Sequence, residues 1–219
     1  MKRALSLYAY VAPAILAPLS FLLWRGEYAG DLRLVAVAWA IPILWAYVVP
    51  GIGTNVLKVW EFGGRLRLGR FRAHHGFVFG SATATIAWVV HGAPAQDAGA
   101  VLRNAVLLGA LLGFVNLLYD IKALEAGILR VYNQPWADGR TPREIALDYA
   151  PWFFGGFGAV YGAGLGAAEW LAASGRLSPA VFATTFALVL VLACILPTAG
   201  YMLQSMARHG HWGTRPVER

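Results

Sequence analysis

Polar side chains that could do chemistry gather where one long apolar segment of the sequence ends. Asn116, Tyr119 and Asp120 close the apolar run that begins at Val101. If the chain continues there as a helix, the three- and four-residue spacing places these side chains on one stripe. A carboxylate beside an amide and a phenol suits proton transfer or a divalent cation. We predict that Asn116, Tyr119 and Asp120 form the catalytic or metal-binding side of a site, on a stripe continued by Ala123, Gly127 and Arg130.

A basic stretch precedes the third apolar segment. Basic and apolar residues alternate from Arg65 to Arg72, as in an extended ribbon or an interfacial segment whose leucines dip into lipid. Arginine binds phosphate or carboxylate through two hydrogen bonds, so Arg72 is a candidate for holding an anionic group. The alternative is that these charges only keep the loop in the cytoplasm.

Two adjacent histidines, His74 and His75, follow this stretch. Neighbouring residues on a helix diverge by about 100°, so the pair is poorly placed to share one metal ion. We predict that His74 takes part in catalysis and that His75 contacts the substrate.

A second long loop carries five of the 11 acidic residues: Asp120, Glu125, Asp138, Glu144 and Asp148. It also carries Arg140 and Arg143, predicted here to bind an anionic substrate group. Thr141, Pro142 and Glu144 form the pattern of a capped helix start. Two interpretations stay open. The acidic and basic loops either pair into a cap, or form a polar pocket with carboxylates and arginines around a substrate.

The elements that must position these residues are apolar helices. The chain has 219 residues, 58% of them hydrophobic and only 13% charged, whereas a soluble domain carries about 25% charged residues. A helix needs about 20 apolar residues to cross a bilayer. We predict a single all-α polytopic membrane domain over residues 1–219 with about six spans: 5–24, 34–53, 75–91, 101–119, 149–172 and 180–203.

Charge placement predicts the orientation. Of the 18 Lys and Arg residues, 14 fall at the two termini and in the two long loops, and the remaining four in short connections. Positive charge is retained in the cytoplasm, so both termini are predicted to be cytoplasmic. The net charge of +7 is then a membrane feature that interacts with lipid headgroups, and no nucleic-acid partner is expected. A multi-pass protein of a bacterial inner membrane is the expected localisation.

The fifth apolar segment is rich in glycine. Gly158, Gly162 and Gly166 recur every four residues and create a face on which another helix can pack closely. This face suits packing within the chain or a homo- or hetero-oligomer, and we favour the former. Glu169, nearer the outer end, is expected to face headgroups without a special role.

The stretch from Asn116 to Arg140 loosely resembles the first aspartate motif of UbiA-type prenyltransferases, in which Asn and Asp at an inner helix end precede an Asn-x-Pro turn. The resemblance implies binding of Mg²⁺ and a diphosphate by Asp120, with an isoprenoid tail inside the bundle. Leu117 and Leu124 stand where that motif has Asp, and the sequence has no second aspartate-rich motif.

These patterns predict a membrane-embedded enzyme that acts on a lipid or isoprenoid whose polar group lies at the cytoplasmic interface. Its metal is unknown, and a divalent cation such as Mg²⁺ would suit the carboxylates. The alternative is a non-catalytic protein, either an accessory subunit of a membrane complex or a small-solute transporter. A transporter would be expected to carry polar residues near the middle of its spans, and the apolar segments here have few. This counts against transport but not against an accessory subunit.

Overall fold

A computed structural model describes residues 2–219 and shows a helical protein, with 75% of the chain in helices and almost no sheet. The helices are α1 (Lys2–Glu27), α2 (Leu32–Val35), α3 (Ile41–Gly51), α4 (His75–His91), α5 (Ala98–Glu125), α6 (Gln134–Ala137), α7 (Pro142–Ala150), α8 (Phe157–Ala173) and α9 (Pro179–His209). Three π-helical segments, Ala36–Ala40, Ile52–Val56 and Pro151–Gly156, join α2 to α3, extend α3, and join α7 to α8. Four short strands complete the fold: β1 (Trp60–Phe62), β2 (Arg67–Leu68), β3 (Phe71–Arg72) and β4 (Leu129–Val131).

Four helical runs are long and apolar enough to cross a membrane: Arg3–Glu27, Leu32–Val56, Ala98–Glu125 and Pro179–His209. The protein therefore has the character of an all-α membrane protein, as the composition predicts. The other two predicted spans also lie in helices, in α4 and in the run from α7 to α8. α4 has 17 residues and is about 26 Å long, slightly less than the hydrocarbon layer of about 30 Å.

Buried aromatic side chains tie the helices together through backbone carbonyls. The Trp24 indole N–H donates to Ala84 O at 2.9 Å and so joins α1 to α4, and Trp45 donates to Ala193 O at 2.9 Å and joins α3 to α9. A buried indole N–H without an acceptor would cost free energy. The helices are therefore held at the rotation about their axes that keeps each N–H on its carbonyl.

The glycine face of α8 lies against α5 within the chain. A methyl group at Gly158 would come within 2.5 Å of Leu108 O, and one at Gly162 within 2.3 Å of Asn104 O. The two backbones therefore touch, as the spacing of small residues predicts. Gly158, Gly162 and Gly166 are thus covered by α5 within the chain.

The two long loops meet at one end of the bundle. β1 pairs antiparallel with β4, with Glu61 opposite Arg130, and β2 pairs with β3 in a small hairpin. Glu61 accepts hydrogen bonds from Arg67 at 2.7 Å and from the Tyr132 hydroxyl at 3.0 Å. The hydrogen bond from Arg67 is the main reason that the pKa of Glu61 lies below its usual value. The loops thus pair through backbone bonds and Tyr132, and not chiefly through opposite charges.

A capped helix start leads from the second loop into α7, as predicted. The Thr141 hydroxyl accepts from the Glu144 backbone N–H, and the Glu144 carboxylate accepts from the Thr141 backbone N–H at 2.9 Å. This reciprocal capping fixes where the loop ends, and so positions the residues of α7 that face the bundle.

The prediction that Glu169 faces lipid headgroups is wrong. Its side chain lies inside the opposite end of the bundle, only 1% exposed. It accepts hydrogen bonds from the Tyr28 hydroxyl, from His91 and from the Ala95 backbone N–H. Glu169 therefore connects α8 to the turn that follows α1, to the end of α4 and to the loop before α5.

Candidate functional site

A cavity of about 140 Å³ opens between α1, α3, α4, α5 and the π-helical segment Pro151–Gly156, close to the end where the long loops meet. Most of its wall is aromatic or aliphatic. The apolar side chains that line it are contributed by several elements: Trp45, Val49, Trp60, Phe62, Val78, Phe79, Ala82, Ile86, Val115, Ala123, Ile128, Leu129, Phe153 and Phe154. The polar side chains in the lining are Tyr8, Arg72, His75, Thr83, Asn116, Tyr119, Asp120 and Tyr149.

Arg72 brings a positive charge into the cavity wall. The side chain belongs to β3, is only 4% exposed, and donates from Nε to Gly63 O at 2.6 Å. Its guanidinium also lies beside the Tyr119 hydroxyl. No carboxylate of residues 2–219 forms a salt bridge with it. A buried guanidinium with no acidic partner is costly, and an anionic ligand in the cavity would remove that cost.

Asp120 brings a carboxylate to the same cavity. It is 6% exposed and accepts a hydrogen bond from the Tyr149 hydroxyl at 2.7 Å. Within the described chain this bond to Oδ2 is its one side-chain hydrogen bond, and no basic residue pairs with it. The Asp120 carboxyl group is thus placed to exchange a proton with a bound molecule, and Tyr149 fixes its orientation.

The predicted stripe of residues is present on α5 up to the end of that helix. Asn116, Tyr119, Asp120 and Ala123 all line the cavity. The Asn116 amide N–H₂ donates to Leu112 O at 2.9 Å, and the Tyr119 ring packs 5.8 Å from the Tyr8 ring of α1. The stripe ends there because α5 stops at Glu125 and Gly127 takes a left-handed conformation, with φ of +66°.

Two residues that the stripe was expected to include therefore lie elsewhere. Gly127 belongs to the turn after α5, and Arg130 is an exposed residue of β4. Neither lines the cavity.

The two histidines point to different surroundings, as their helical divergence predicts. His75 lines the cavity, with its ring 4.3 Å from that of Phe62, and its Nδ1 is buried without a hydrogen-bond partner. His74 instead packs 4.9 Å from the Tyr10 ring and does not line the cavity. Burial lowers the pKa of His74 below its usual value. The structure therefore brings His75 to the other candidates and leaves His74 outside.

Arg140 and Arg143 do not reach the cavity. Both are exposed at the start of α7, and Arg140 lies 3.6 Å from the Glu144 carboxylate. The structure therefore does not bring them to Arg72, because the capped start of α7 leaves both side chains exposed to solvent.

Tyr149 is the cavity residue that sequence reasoning missed. In the sequence, Asp120 and Asp148 lie at the inner ends of two neighbouring apolar segments, and Tyr149, the residue after Asp148, is the one that contacts Asp120. Asp148 itself points away and bonds His209 at 2.9 Å. Its position could have been a signal. Tyr149 begins the predicted span 149–172, and Asp120 follows the predicted span 101–119, so both residues lie at the same end of the bundle.

The acidic side chains do not assemble a metal site by themselves. Among residues 2–219 no three His, Cys, Asp or Glu side chains gather where they could hold an ion. Asp120 is the only carboxylate that lines the cavity in the described part of the chain. A Mg²⁺ ion bound here would take one carboxylate oxygen from the protein and most of its ligands from substrate and water.

No protein-family model, curated protein or solved structure matches this chain.

Proposed function

We propose that the protein is a six-span enzyme of a bacterial inner membrane, and that it modifies a lipid or isoprenoid whose anionic group lies at the cytoplasmic interface. The single observation that carries the proposal is the cavity. It holds one buried cation without an acidic partner and one buried carboxylate without a basic partner, at the polar end of an apolar chamber.

The six-span topology rests on α4 and the run from α7 to α8 crossing the membrane along with the four longer runs. Both are enclosed by other helices: α4 packs against α1 and α3, and α8 packs against α5. An enclosed helix needs less apolar surface than one that faces lipid. The 14 basic residues of the two termini and the two long loops support a cytoplasmic position for that end.

The anionic group of the substrate would bind at Arg72. A phosphate or carboxylate there would pair with the guanidinium through charge-assisted hydrogen bonds. The N-terminus of α4 begins three residues later, and the side chain of its N-cap residue, His74, forms no capping bond. Free backbone N–H groups and the helix dipole favour an anion at that end as well.

The hydrocarbon part of the substrate would fill the aromatic chamber. Trp45, Phe79 and Phe154 form its inner wall, and Ile86 of α4 and Val115 of α5 line it farther along the bundle. A chamber of this composition and of about 140 Å³ has room for the few carbons of an acyl or isoprenoid chain that lie next to the anionic group, and its apolar wall excludes water from them.

Asp120 would carry the proton transfer. A carboxylate that keeps one oxygen free while Tyr149 holds the other can remove a proton from a substrate hydroxyl or from a carbon beside the anionic group. Asn116 and the Tyr119 hydroxyl lie on the same helix face, where they would orient the group that reacts. His75 offers a further ring nitrogen with no bond of its own.

The proposal is tested by incubating the purified protein in nanodiscs with an extract of bacterial membrane lipids and following lipid masses by liquid chromatography and mass spectrometry. The wild type is expected to convert one amphiphile, and Asp120→Asn to lose at least about 100-fold in rate, as expected for a general base.

Glu125→Gln is the matched control, because Glu125 ends the same helix but pairs with Lys122 on the surface. It should keep the activity. Full activity of Asp120→Asn would contradict the proposal. Absence of any conversion together with a stoichiometric protein partner would favour the accessory-subunit alternative.

A further inference from the structure

The β2–β3 hairpin is a rigid element whose outer side has no role in the cavity. Gly69 turns it with φ of +65°, and the Asn55 side chain holds the turn from the end of the preceding helical run. The Asn55 amide donates to Leu68 O at 3.1 Å, and its oxygen accepts from the Arg70 backbone N–H at 2.7 Å. The hairpin therefore presents its side chains in fixed directions.

The two arms of the hairpin differ sharply in exposure. Phe71 and Arg72 on β3 are buried, and Arg72 lines the cavity. Leu66 and Leu68, two residues apart and so on one face of the extended arm, are each 59% exposed. Two neighbouring leucines with no protein cover suit an apolar environment outside the chain.

The position of the hairpin beside α1 favours lipid as this apolar environment. The Arg65 backbone N–H donates to the Tyr10 hydroxyl at 3.1 Å. Tyr10 lies on an exposed side of α1 with Leu7 and Val11, about 12 Å along the helix from Lys2. With α1 crossing the membrane, as its length and apolar composition allow, the hairpin would lie near the interface, where Tyr side chains are enriched.

The charge of the hairpin suits an anionic leaflet. Glu61 is the carboxylate that approaches Arg67, at 2.7 Å, and Arg70, at 3.5 Å. Arg65 forms no salt bridge with any acidic residue of the described chain. Three arginines against one glutamate leave two positive charges for the lipid surface, at an edge where basic side chains attract anionic headgroups.

We propose that this hairpin is a docking element for anionic phospholipid in the cytoplasmic leaflet. Leu66 and Leu68 enter the boundary between headgroups and acyl chains, and Arg65 binds the lipid phosphates above them. This role is separate from substrate binding, because it uses the arm of the hairpin that faces away from the cavity.

The test uses the full chain with Cys194, its only cysteine, replaced by Ala, and a single cysteine placed at Leu66 or Leu68 and labelled with an environment-sensitive fluorophore. The protein is reconstituted alone into vesicles that contain phospholipid brominated near the headgroup. Strong quenching is expected at both positions. Asp138→Cys, on an exposed turn at the same end of the bundle, is the control and should be quenched much less.

A second measurement tests the headgroup contact. The anionic phosphatidylglycerol that stays with the purified protein, relative to neutral phosphatidylethanolamine, is measured for Arg65→Ser and for wild type. The ratio should fall about fivefold in the variant. Hairpin positions quenched no more than Asp138, or an unchanged lipid ratio in Arg65→Ser, would overturn the proposal, since the purified system contains no partner protein to cover the leucines.

Discussion

Replacing Arg72 with Met tests whether this residue binds a ligand or stabilises the fold. If Arg72 serves the fold, its loss should weaken the protein. If it is kept for an anionic ligand, its loss should remove the ligand and leave the empty protein as stable as before or more stable. Met keeps a similar length of apolar side chain in the buried space, so the substitution tests the charge.

The size of the effect follows from the surroundings of the guanidinium. A buried ion without a counter-ion costs several kcal/mol. The hydrogen bond from Nε to Gly63 O offsets about 1.5–3 kcal/mol of that cost, because its donor is charged. Arg72→Met should therefore stabilise the ligand-free protein by about 0–2 kcal/mol, a rise in melting temperature of up to about 6 °C for a chain of this length.

The assay is thermal unfolding of delipidated protein in mild detergent, followed by tryptophan fluorescence, together with mass spectrometry of the lipid retained before delipidation. Arg70→Met is the control. Its guanidinium lies over the Tyr132 ring and 3.5 Å from Glu61 at the surface, and it does not line the cavity. Arg70→Met should therefore change stability by less than about 1 kcal/mol and keep the amphiphile bound in the cavity. A fall of more than about 5 °C in Arg72→Met with unchanged lipid content would refute the reasoning and make Arg72 a structural residue.

Three further predictions concern the bundle and the loops. Gly162→Leu should destabilise the protein by about 1–3 kcal/mol or prevent folding, because the new side chain meets the α5 backbone, whereas Gly26→Ala in open space should be neutral or slightly stabilising in the same thermal assay. Glu169→Gln should cost about 1–3 kcal/mol, since the amide cannot accept all three hydrogen bonds that the carboxylate accepts; an unchanged melting temperature would contradict the role given to this residue. The hydrogen bond from Arg67 lowers the pKa of Glu61, so its contribution to stability is present above the unfolded-state pKa of about 4.3 and is lost as pH falls through the lower folded-state pKa. Wild type should therefore lose melting temperature between about pH 5 and pH 3 more steeply than Glu61→Gln does, and parallel curves would refute this.

The helical character of the fold was predictable because hydropathy and small-residue spacing are local properties of the chain. Each apolar segment lies within a helix, and the GxxxG face of Gly158 and Gly162 packs closely on a neighbour. The spacing alone could not identify that neighbour as α5. Glu169 was misplaced for a related reason: a carboxylate near a helix end looks exposed until His91 and Tyr28 from other helices are seen to bind it.

The candidate site was predictable along a single helix and not across helices. The three- and four-residue spacing placed Asn116, Tyr119 and Asp120 together, and the structure puts all three on the cavity wall. The partner of Asp120, Tyr149, is 29 residues away in sequence and meets it only through tertiary packing. Arg140 and Arg143 belong to the loop that closes the site, but their side chains face solvent, because helix capping at Thr141 turns them outward.

The most direct test of the central claim is to identify what the cavity holds. Native mass spectrometry of wild-type protein released from mild detergent should show one bound amphiphile with a phosphate or carboxylate group. Arg72→Met should lose it, and Asp120→Asn should retain it, because the charge at Arg72 binds the anionic group while Asp120 acts on the substrate. A wild-type protein that carries no amphiphile, or an Arg72→Met variant that carries the same amount, would contradict the account.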